Sequence, residues 1–210
     1  MNRKYSKHCK NNNRPCEYVK KMRRLSIVDI NKVRDQLSVE SKNGIGFLLS
    51  AIVIWFIITI IFLQSFSIDQ KNLYMLISTG LMFPLSVAIS HLLKADWKLE
   101  NNPFGQLGLH LNIAQIIYFP ILIWGILKSP DMAIMFFAII TGAHLYPYGW
   151  LYHAKAYYIL APIISVMIMV MGLFLSPEKN WLIPLAMVVF IALLVICLCF
   201  DYKSKMKKTR

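Results

Sequence analysis

The amino-acid sequence predicts an all-α, polytopic membrane protein: a bundle of six transmembrane helices with both termini in the cytoplasm and a short amphipathic juxtamembrane helix. Three observations support this prediction. Hydrophobic residues make up 57% of the 210 residues and charged residues 16%, which is too apolar for a water-facing surface of this size. The apolar residues form runs of membrane-spanning length. Lys and Arg gather at the chain ends and on one set of loops.

The six apolar runs are each about 19 to 21 residues long, or close to 30 Å of helix. They are continuously apolar rather than alternating, which favours helices over strands. In lipid, each backbone N–H and C=O of a helix is paired within the helix itself. The predicted spans are residues 45–63, 73–93, 107–127, 132–152, 157–175 and 181–200, which together form one transmembrane domain, residues 45–200.

The orientation follows from the distribution of basic residues. Twenty of the 23 Lys and Arg residues precede the first span, follow the last, or lie on the loops at 94–106 and 153–156. The other three are Lys71, Lys128 and Lys179. Since cytoplasmic loops carry an excess of Lys and Arg, both termini are predicted to be cytoplasmic, as an even number of spans requires.

Aromatic residues flank the predicted cytoplasmic ends of the fourth and fifth spans. Trp150, Tyr152, Tyr157 and Tyr158 lie where the aromatic belt of a membrane interface is expected. The sequence therefore predicts interfacial anchoring for these four side chains.

The amino-terminal region divides into two parts. Residues 1–25 are basic, rich in Asn and low in apolar residues, a composition typical of a disordered cytoplasmic tail. Residues 26–44 have a different pattern, because Ile30, Val33 and Leu37 recur at helical spacing. This segment is predicted to form a short amphipathic helix along the inner membrane surface.

Basic residues also end the chain, in the predicted cytoplasmic tail at 201–210. Each basic residue close to an anionic lipid surface contributes about 1 kcal/mol of attraction, but the same residues are what sets topology in any multi-span protein. The predicted partner is the lipid bilayer, with contact between the tails and anionic lipid, and no nucleic acid. A membrane-protein partner or a second copy of the chain stays open.

No Asp, Glu, Lys or Arg lies inside any predicted span. Intramembrane acids and bases mark ion pathways and proton relays, so their absence counts against an ion-coupled pump or a voltage sensor. The neutral polar residues are concentrated in the predicted cytoplasmic half. They suggest a ligand cavity, with candidate residues His110, Gln115, Thr141, His144 and Tyr148.

The fourth span carries the strongest pattern. Thr141, His144, Tyr148 and Tyr152 lie within about 80° of one another on a helical wheel and form one hydrogen-bonding stripe. Pro147 interrupts the helical hydrogen bonding, so irregular backbone lining a cavity is expected around it.

Polar residues between membrane helices also have a purely structural use. Such side chains often form interhelical hydrogen bonds, each contributing about 0.6 kcal/mol. On the third span, His110 points away from Asn112 and Gln115, so only part of the set faces the cavity of His144. Haem held by His110 and His144 is conceivable, but two histidines without a characteristic spacing do not predict it, and no cofactor is predicted.

An alternative interfacial site lies at the cytoplasmic loop that follows the second predicted span. His91, Asp96 and Glu100 could hold a divalent metal at the lipid surface if this stretch is helical. Lys94 and Lys98 alternate with the acids and can partly neutralise them, which favours an ordinary charged loop. No metal site is predicted.

The segments NPFGQLGLHLNIAQIIYFPILIWGILKSP and AIITGAHLYPYGWLYHAKAYYILAPI resemble a family of small multi-span membrane proteins from Gram-positive bacteria, classed as a domain of unknown function. The resemblance covers about residues 26–175. It implies a protein of the bacterial cytoplasmic membrane without an established activity, so it supplies no catalytic residues.

Three functional hypotheses follow. The first is binding or transport of a small molecule through a polar cavity in the cytoplasmic half, without coupling to an ion gradient. The second is a lipid-modifying enzyme at the membrane interface, using His91, Asp96 and Glu100. The third is a non-catalytic accessory subunit of a membrane complex. An enzyme is the less favoured interpretation, because no catalytic motif occurs in the sequence.

Overall fold

The computed structural model describes residues 30–96 and 102–209, and these residues are all-α, without a strand. The predicted all-α class is confirmed. The predicted tail at 1–25 and the first residues of the amphipathic segment, 26–29, lie outside the described residues. The helices are α1 (Ile30–Glu40), α2 (Ile45–Leu63), α3 (Ile68–Gly80), α4 (Met82–Leu92), α5 (Gly105–Ile117), α6 (Phe119–Lys128), α7 (Ala133–His144), α8 (Tyr146–Leu151), α9 (Lys155–Phe174) and α10 (Leu182–Thr209).

Several of these helices are long and apolar enough to cross a membrane, which indicates a membrane protein. The described residues contain five such segments, or six if α3 and α4, bent by 42°, make one span. The five are residues 42–63, 105–128, 130–151, 155–174 and 177–207.

Prolines explain where the helices break. Breaks occur at Leu81, Tyr118 and Leu145, and in each case a proline lies two or three residues later, within the first turn of the following helix. Proline has no N–H to donate, and its ring clashes with the preceding turn, so it is tolerated at a helix start but interrupts a helix interior. The irregular backbone expected near Pro147 is therefore found at Leu145.

One end of the bundle, which we name the terminal end, gathers α1, the Lys42–Gly44 turn, the connections after α4 and α8, and the last turns of α10. Asn43 Nδ2 donates to the carbonyl oxygen of Leu198 at 3.1 Å. The backbone N–H of Asp96 donates to the carbonyl oxygen of Glu40 at 3.0 Å. Segments far apart in the sequence thus meet at this end.

The opposite end holds the connections that follow α2, α6 and α9. Asn72 Nδ2 donates to the carbonyl oxygen of Pro130 at 3.0 Å, and Asn180 Nδ2 donates to that of Asp131 at 2.8 Å. At the terminal end, Lys42 Nζ donates to the carbonyl oxygen of Leu93. Because α3 begins near one end and α4 finishes at the other, the bent pair runs the length of the bundle.

Helices α2 and α10 form the central pair, and α9 packs against α7, α8 and α10. Trp55 stacks on Phe137 in this core, with ring centroids 5.0 Å apart. In contrast, α5 and α6 lie at the periphery, where many apolar side chains are exposed, as at Ile117 (72%) and Leu127 (74%). Such exposure suits contact with lipid rather than water.

Helix α1 packs against the terminal end of the bundle instead of lying on it loosely. Leu37 and Ser38 are completely buried. The guanidinium of Arg34 lies 4.7 Å from the ring centroid of Trp150, and Arg34 Nε donates to the carbonyl oxygen of Trp150. The cation–π contact and the hydrogen bond fix α1 across the end of α8.

Helix α10 is longer than the predicted span at 181–200. It continues to Thr209, through most of the segment that the sequence suggests is a separate tail. The extension is not a solvated appendage, because Lys205 is only partly exposed and bonds to two other segments, α1 and the connection after α8.

Candidate functional site

A cavity of about 680 Å³ lies in the terminal half of the bundle, between α2, α4, α5, α7 and α8. It reaches from Gly44 at the terminal end to Ile191 in the middle of α10. Its polar lining residues are Asn102, Gln106, Asn112, Gln115, Thr141, His144, Tyr148, Tyr152 and Tyr157, and its apolar ones include Phe47, Leu48, Ala51, Met82, Phe83, Leu109 and Leu145.

All the polar side chains among these described lining residues are amides, hydroxyls or an imidazole; none is Asp, Glu, Lys or Arg. Amides, hydroxyls and an imidazole can donate and accept hydrogen bonds, but they provide no fixed charge to pair with an ionic ligand. The cavity is therefore suited to an uncharged polar group.

Four of the five predicted cavity residues border this space: Gln115, Thr141, His144 and Tyr148. His144 Nε2 lies 3.3 Å from the hydroxyl of Tyr148, and their rings meet edge to face with centroids 5.3 Å apart. Gln115 Nε2 donates to Thr141 Oγ1 across a long 3.4 Å contact. The stripe expected from the helical wheel thus runs along the cavity wall.

These polar groups bond mainly within their own segment. Thr141 Oγ1 donates to the carbonyl oxygen of Phe137 at 3.0 Å, and Asn112 Nδ2 donates to that of Gly108 at 3.1 Å, both one turn earlier. The His144 contact is likewise with the next turn. Interhelical bonding therefore accounts for the Gln115–Thr141 pair, but not for the positions of Asn112 and His144 at the cavity.

His110, the fifth predicted residue, lies apart from the cavity. Its side chain is exposed, and its Nδ1 is 2.8 Å from the carbonyl oxygen of Gln106 one turn earlier. The phase of α5 places Asn112 and Gln115 on the cavity side instead. His110 and His144 are thus not brought together, and the conceivable haem pair is absent from the described residues.

Tyrosines at the cavity base form a cluster that includes one residue not foreseen as a lining residue. The rings of Tyr148, Tyr152 and Tyr157 have centroids 5.9 to 6.1 Å apart. Tyr157 is almost fully buried, and its hydroxyl donates to the carbonyl oxygen of Asn43 at 2.8 Å. Tyr152 and Tyr157 are buried inside the protein, so they are not the exposed interfacial anchors that the sequence predicts.

Directly beneath this base lies a second group of polar residues, which we name the terminal cluster: Ser38, Asn43, Tyr157, Asp201 and Lys205. Asn43 accepts from Ser38 Oγ and donates to Asp201 Oδ2 at 3.0 Å. Lys205 Nζ lies 2.7 Å from Asp201 Oδ2 and donates to Ser38 Oγ at 2.9 Å. The sequence analysis did not foresee this cluster, since its members are up to 167 residues apart.

A left-handed turn joins the cluster to the cavity. Lys42, Asn43 and Gly44 have φ angles of 51°, 55° and 73°. Glycine adopts such angles without strain, and asparagine tolerates them. A Cβ on Gly44 would lie 2.8 Å from the ring of Tyr152, so this position also requires glycine for space.

The alternative interfacial site is not assembled in the described residues. His91 and Asp96 are both exposed, and Glu100 lies outside the described residues. Across residues 30–96 and 102–209, no three His, Cys, Asp or Glu side chains are grouped closely enough to hold a metal ion.

Fold and site together define a class: an all-α protein with membrane-length helices around a cavity of neutral polar side chains. The chain belongs to a family of unknown function (DUF7010), whose model matches residues 30–201. This confirms the predicted membership of an uncharacterised family, while its Gram-positive source stays a prediction. The chain matches no curated protein and no solved structure.

Proposed function

We propose that this protein is a six-span integral protein of the bacterial cytoplasmic membrane that binds or transports an uncharged small molecule, without coupling to an ion gradient. The observation that carries the proposal is the neutral cavity of about 680 Å³, a volume within the usual range for ligand pockets.

The contacts at the two ends support six crossings. The bent α3–α4 pair runs between the ends, which favours one span over a re-entrant loop. The segments that gather at the terminal end belong to the group that carries twenty of the 23 basic residues. The positive-inside rule then makes the terminal end cytoplasmic.

The bonding pattern supports a binding role for the lining residues. A side chain that bonds only to its own helix contributes little to holding helices together. The carbonyl oxygens of Asn112 and Gln115, and the second ring nitrogen of His144, keep hydrogen-bonding capacity towards the cavity. A neutral solute could use this capacity, whereas an ion would meet no opposite charge on the described walls.

Reaction with a small neutral thiol reagent tests the proposal. In a background lacking the natural cysteines, Thr141→Cys on the cavity wall is compared with Thr59→Cys, which is buried on α2 away from the cavity. N-ethylmaleimide is expected to label the Thr141→Cys protein rapidly and the Thr59→Cys protein slowly, because only the first thiol meets a wet cavity. Equal, slow labelling of both variants would refute a cavity open to small neutral molecules.

Topology is tested with a membrane-impermeant thiol reagent on intact cells. Lys128→Cys and Lys179→Cys are expected to label from outside, and Lys155→Cys only after permeabilisation. Labelling of Lys155→Cys in intact cells would show that the terminal end faces the outside, which contradicts the proposed orientation.

A further inference from the structure

The cavity wall between α4 and α5 differs from the other walls. Helix α4 packs against α2, while α5 packs against α7 and α8. In the described part of the chain, α4 and α5 do not pack closely against each other, although both line the cavity. Among the described residues, the cavity is therefore bounded on this side by two helices that are not packed together, and we name the space between them the slot.

The α4 side of the slot is apolar, whereas the opposite wall of the cavity, formed by α7 and α8, carries the hydrogen-bonding groups of Thr141, His144 and Tyr148. Met82 and Phe83 on α4 and Leu109 on α5 line it, and half of the surface of Phe83 (50%) and of Leu109 (48%) is exposed. Since α5 is peripheral, the outer side of the slot faces lipid once the helices span a membrane. A path of decreasing polarity thus leads from the hydrogen-bonding groups to the bilayer.

We propose that the cavity takes a neutral single-chain amphiphile that enters from the bilayer between α4 and α5. Its uncharged headgroup lies against Gln115, His144 and Tyr148, and its acyl chain runs along Phe83 and Leu109. This inference rests on the proposed function and adds the ligand class and the route. A phosphate headgroup would bring its charge into a cavity whose described lining carries none, at a large cost in desolvation.

A photoreactive monoacylglycerol, with a diazirine in its acyl chain, tests the inference on the full chain in nanodiscs. Adducts are expected on α4 and α5, and unlabelled monolauroylglycerol should compete for them. Glycerol, which has the headgroup alone, and lysophosphatidate, which adds a phosphate to the same kind of chain, should compete much more weakly. Equal competition by glycerol would refute the role of the chain, and equal competition by lysophosphatidate would refute the neutral headgroup.

Two matched pairs of variants locate the ligand. Leu109→Trp fills the slot, whereas Ile113→Trp lies one turn away on the same helix with nearly the same exposure (49%) but off the cavity. We expect Leu109→Trp to weaken monolauroylglycerol binding about tenfold and Ile113→Trp less than twofold. His144→Leu should weaken it, while His110→Leu should not. Equal effects within either pair would overturn the assigned position.

The two proposals fail separately. Suppose that Thr141→Cys reacts with N-ethylmaleimide but the photoreactive monoacylglycerol leaves no adducts on α4 or α5. The proposal of a cavity open to small neutral molecules is then kept, and the proposal of an amphiphilic ligand is refuted. If Thr141→Cys is also unreactive, the cavity itself is not a binding site. Met82→Trp closes the slot from the α4 side. If Leu109→Trp does not fold, the binding of monolauroylglycerol to Met82→Trp is measured in its place.

Discussion

Two asparagines in the same half of the molecule illustrate two different uses of polar side chains. Asn43 in the terminal cluster is completely buried and bonds to Ser38, Leu198 and Asp201, all in other segments. Asn112 on the cavity wall donates only to a carbonyl one turn earlier in its own helix. The comparison separates residues that hold segments together from residues that are available to a ligand.

The difference has an energetic consequence. Removing a buried group that bonds across segments leaves its partners unsatisfied and costs their desolvation, whereas removing a locally bonded group beside a cavity exposes its partner to water. The terminal cluster should therefore govern stability, and the cavity lining should govern binding.

The largest effect is expected at Asn43. Asn43→Ala should lower the free energy of unfolding by about 3 kcal/mol, because it removes several buried bonds and strains a left-handed backbone. Asn43→Gly keeps the backbone conformation and isolates the loss of the bonds. Denaturant titration in detergent measures both, with Asn112→Ala as the control that should change stability by less than about 0.5 kcal/mol. Similar losses of unfolding free energy in Asn43→Ala and Asn112→Ala would show that the terminal cluster and the cavity lining do not differ in their contribution to stability.

The next largest effect is expected at Gly44. Gly44→Ala should cost about 2 kcal/mol, because alanine is strained at positive φ and its Cβ would press on the ring of Tyr152. Gly80 is the matched control, since it has a negative φ and a Cβ added there would meet no neighbouring atom within 4 Å. Gly80→Ala should be neutral or slightly stabilising in thermal melts. A neutral Gly44→Ala would show that the turn is not constrained.

A smaller effect is expected at the hydroxyl linking the cavity base to the terminal cluster. Tyr157→Phe should cost about 1 kcal/mol, because the carbonyl of Asn43 loses its buried donor. Tyr158→Phe changes the adjacent residue, which is less buried, and should leave the melting temperature unchanged. Equal changes of melting temperature in the two variants would show that the hydroxyl of Tyr157 does not stabilise the terminal cluster.

The smallest effect is expected on the cavity wall itself. His144→Leu should change the free energy of unfolding by less than about 0.5 kcal/mol, since its bond is to the next turn of the same segment. A loss above about 1 kcal/mol in the same titration would mean that His144 stabilises the packing of helices, and would favour the accessory-subunit hypothesis.

Much of the helical framework could be predicted from the sequence. The first predicted span, 45–63, has the same bounds as α2, and the break at Leu145 follows from Pro147. The stripe containing Thr141 and His144 was predictable because side chains on one helix have a fixed angular spacing. Each of these features depends on residues within a few turns of one another.

The errors have a common origin. His110 was included in the cavity although its phase on α5 differs from that of Gln115, because the rotation of α5 about its own axis is set by packing. The burial of Tyr157 was missed because an aromatic residue at a span boundary suits an interface equally well. Both assignments need the position of a neighbouring helix.

The sequence by itself determined an all-α chain with runs of membrane-spanning length, a strongly asymmetric distribution of basic charge and a neutral set of polar side chains. These are properties of composition and of periodicity along one helix. Only the tertiary structure decided which neutral groups share a cavity, and that Ser38, Asn43 and Lys205 meet beneath it. The physical reason is that these features depend on contacts between segments distant in the sequence, up to 167 residues for Ser38 and Lys205, whose geometry exists only once the helices have packed.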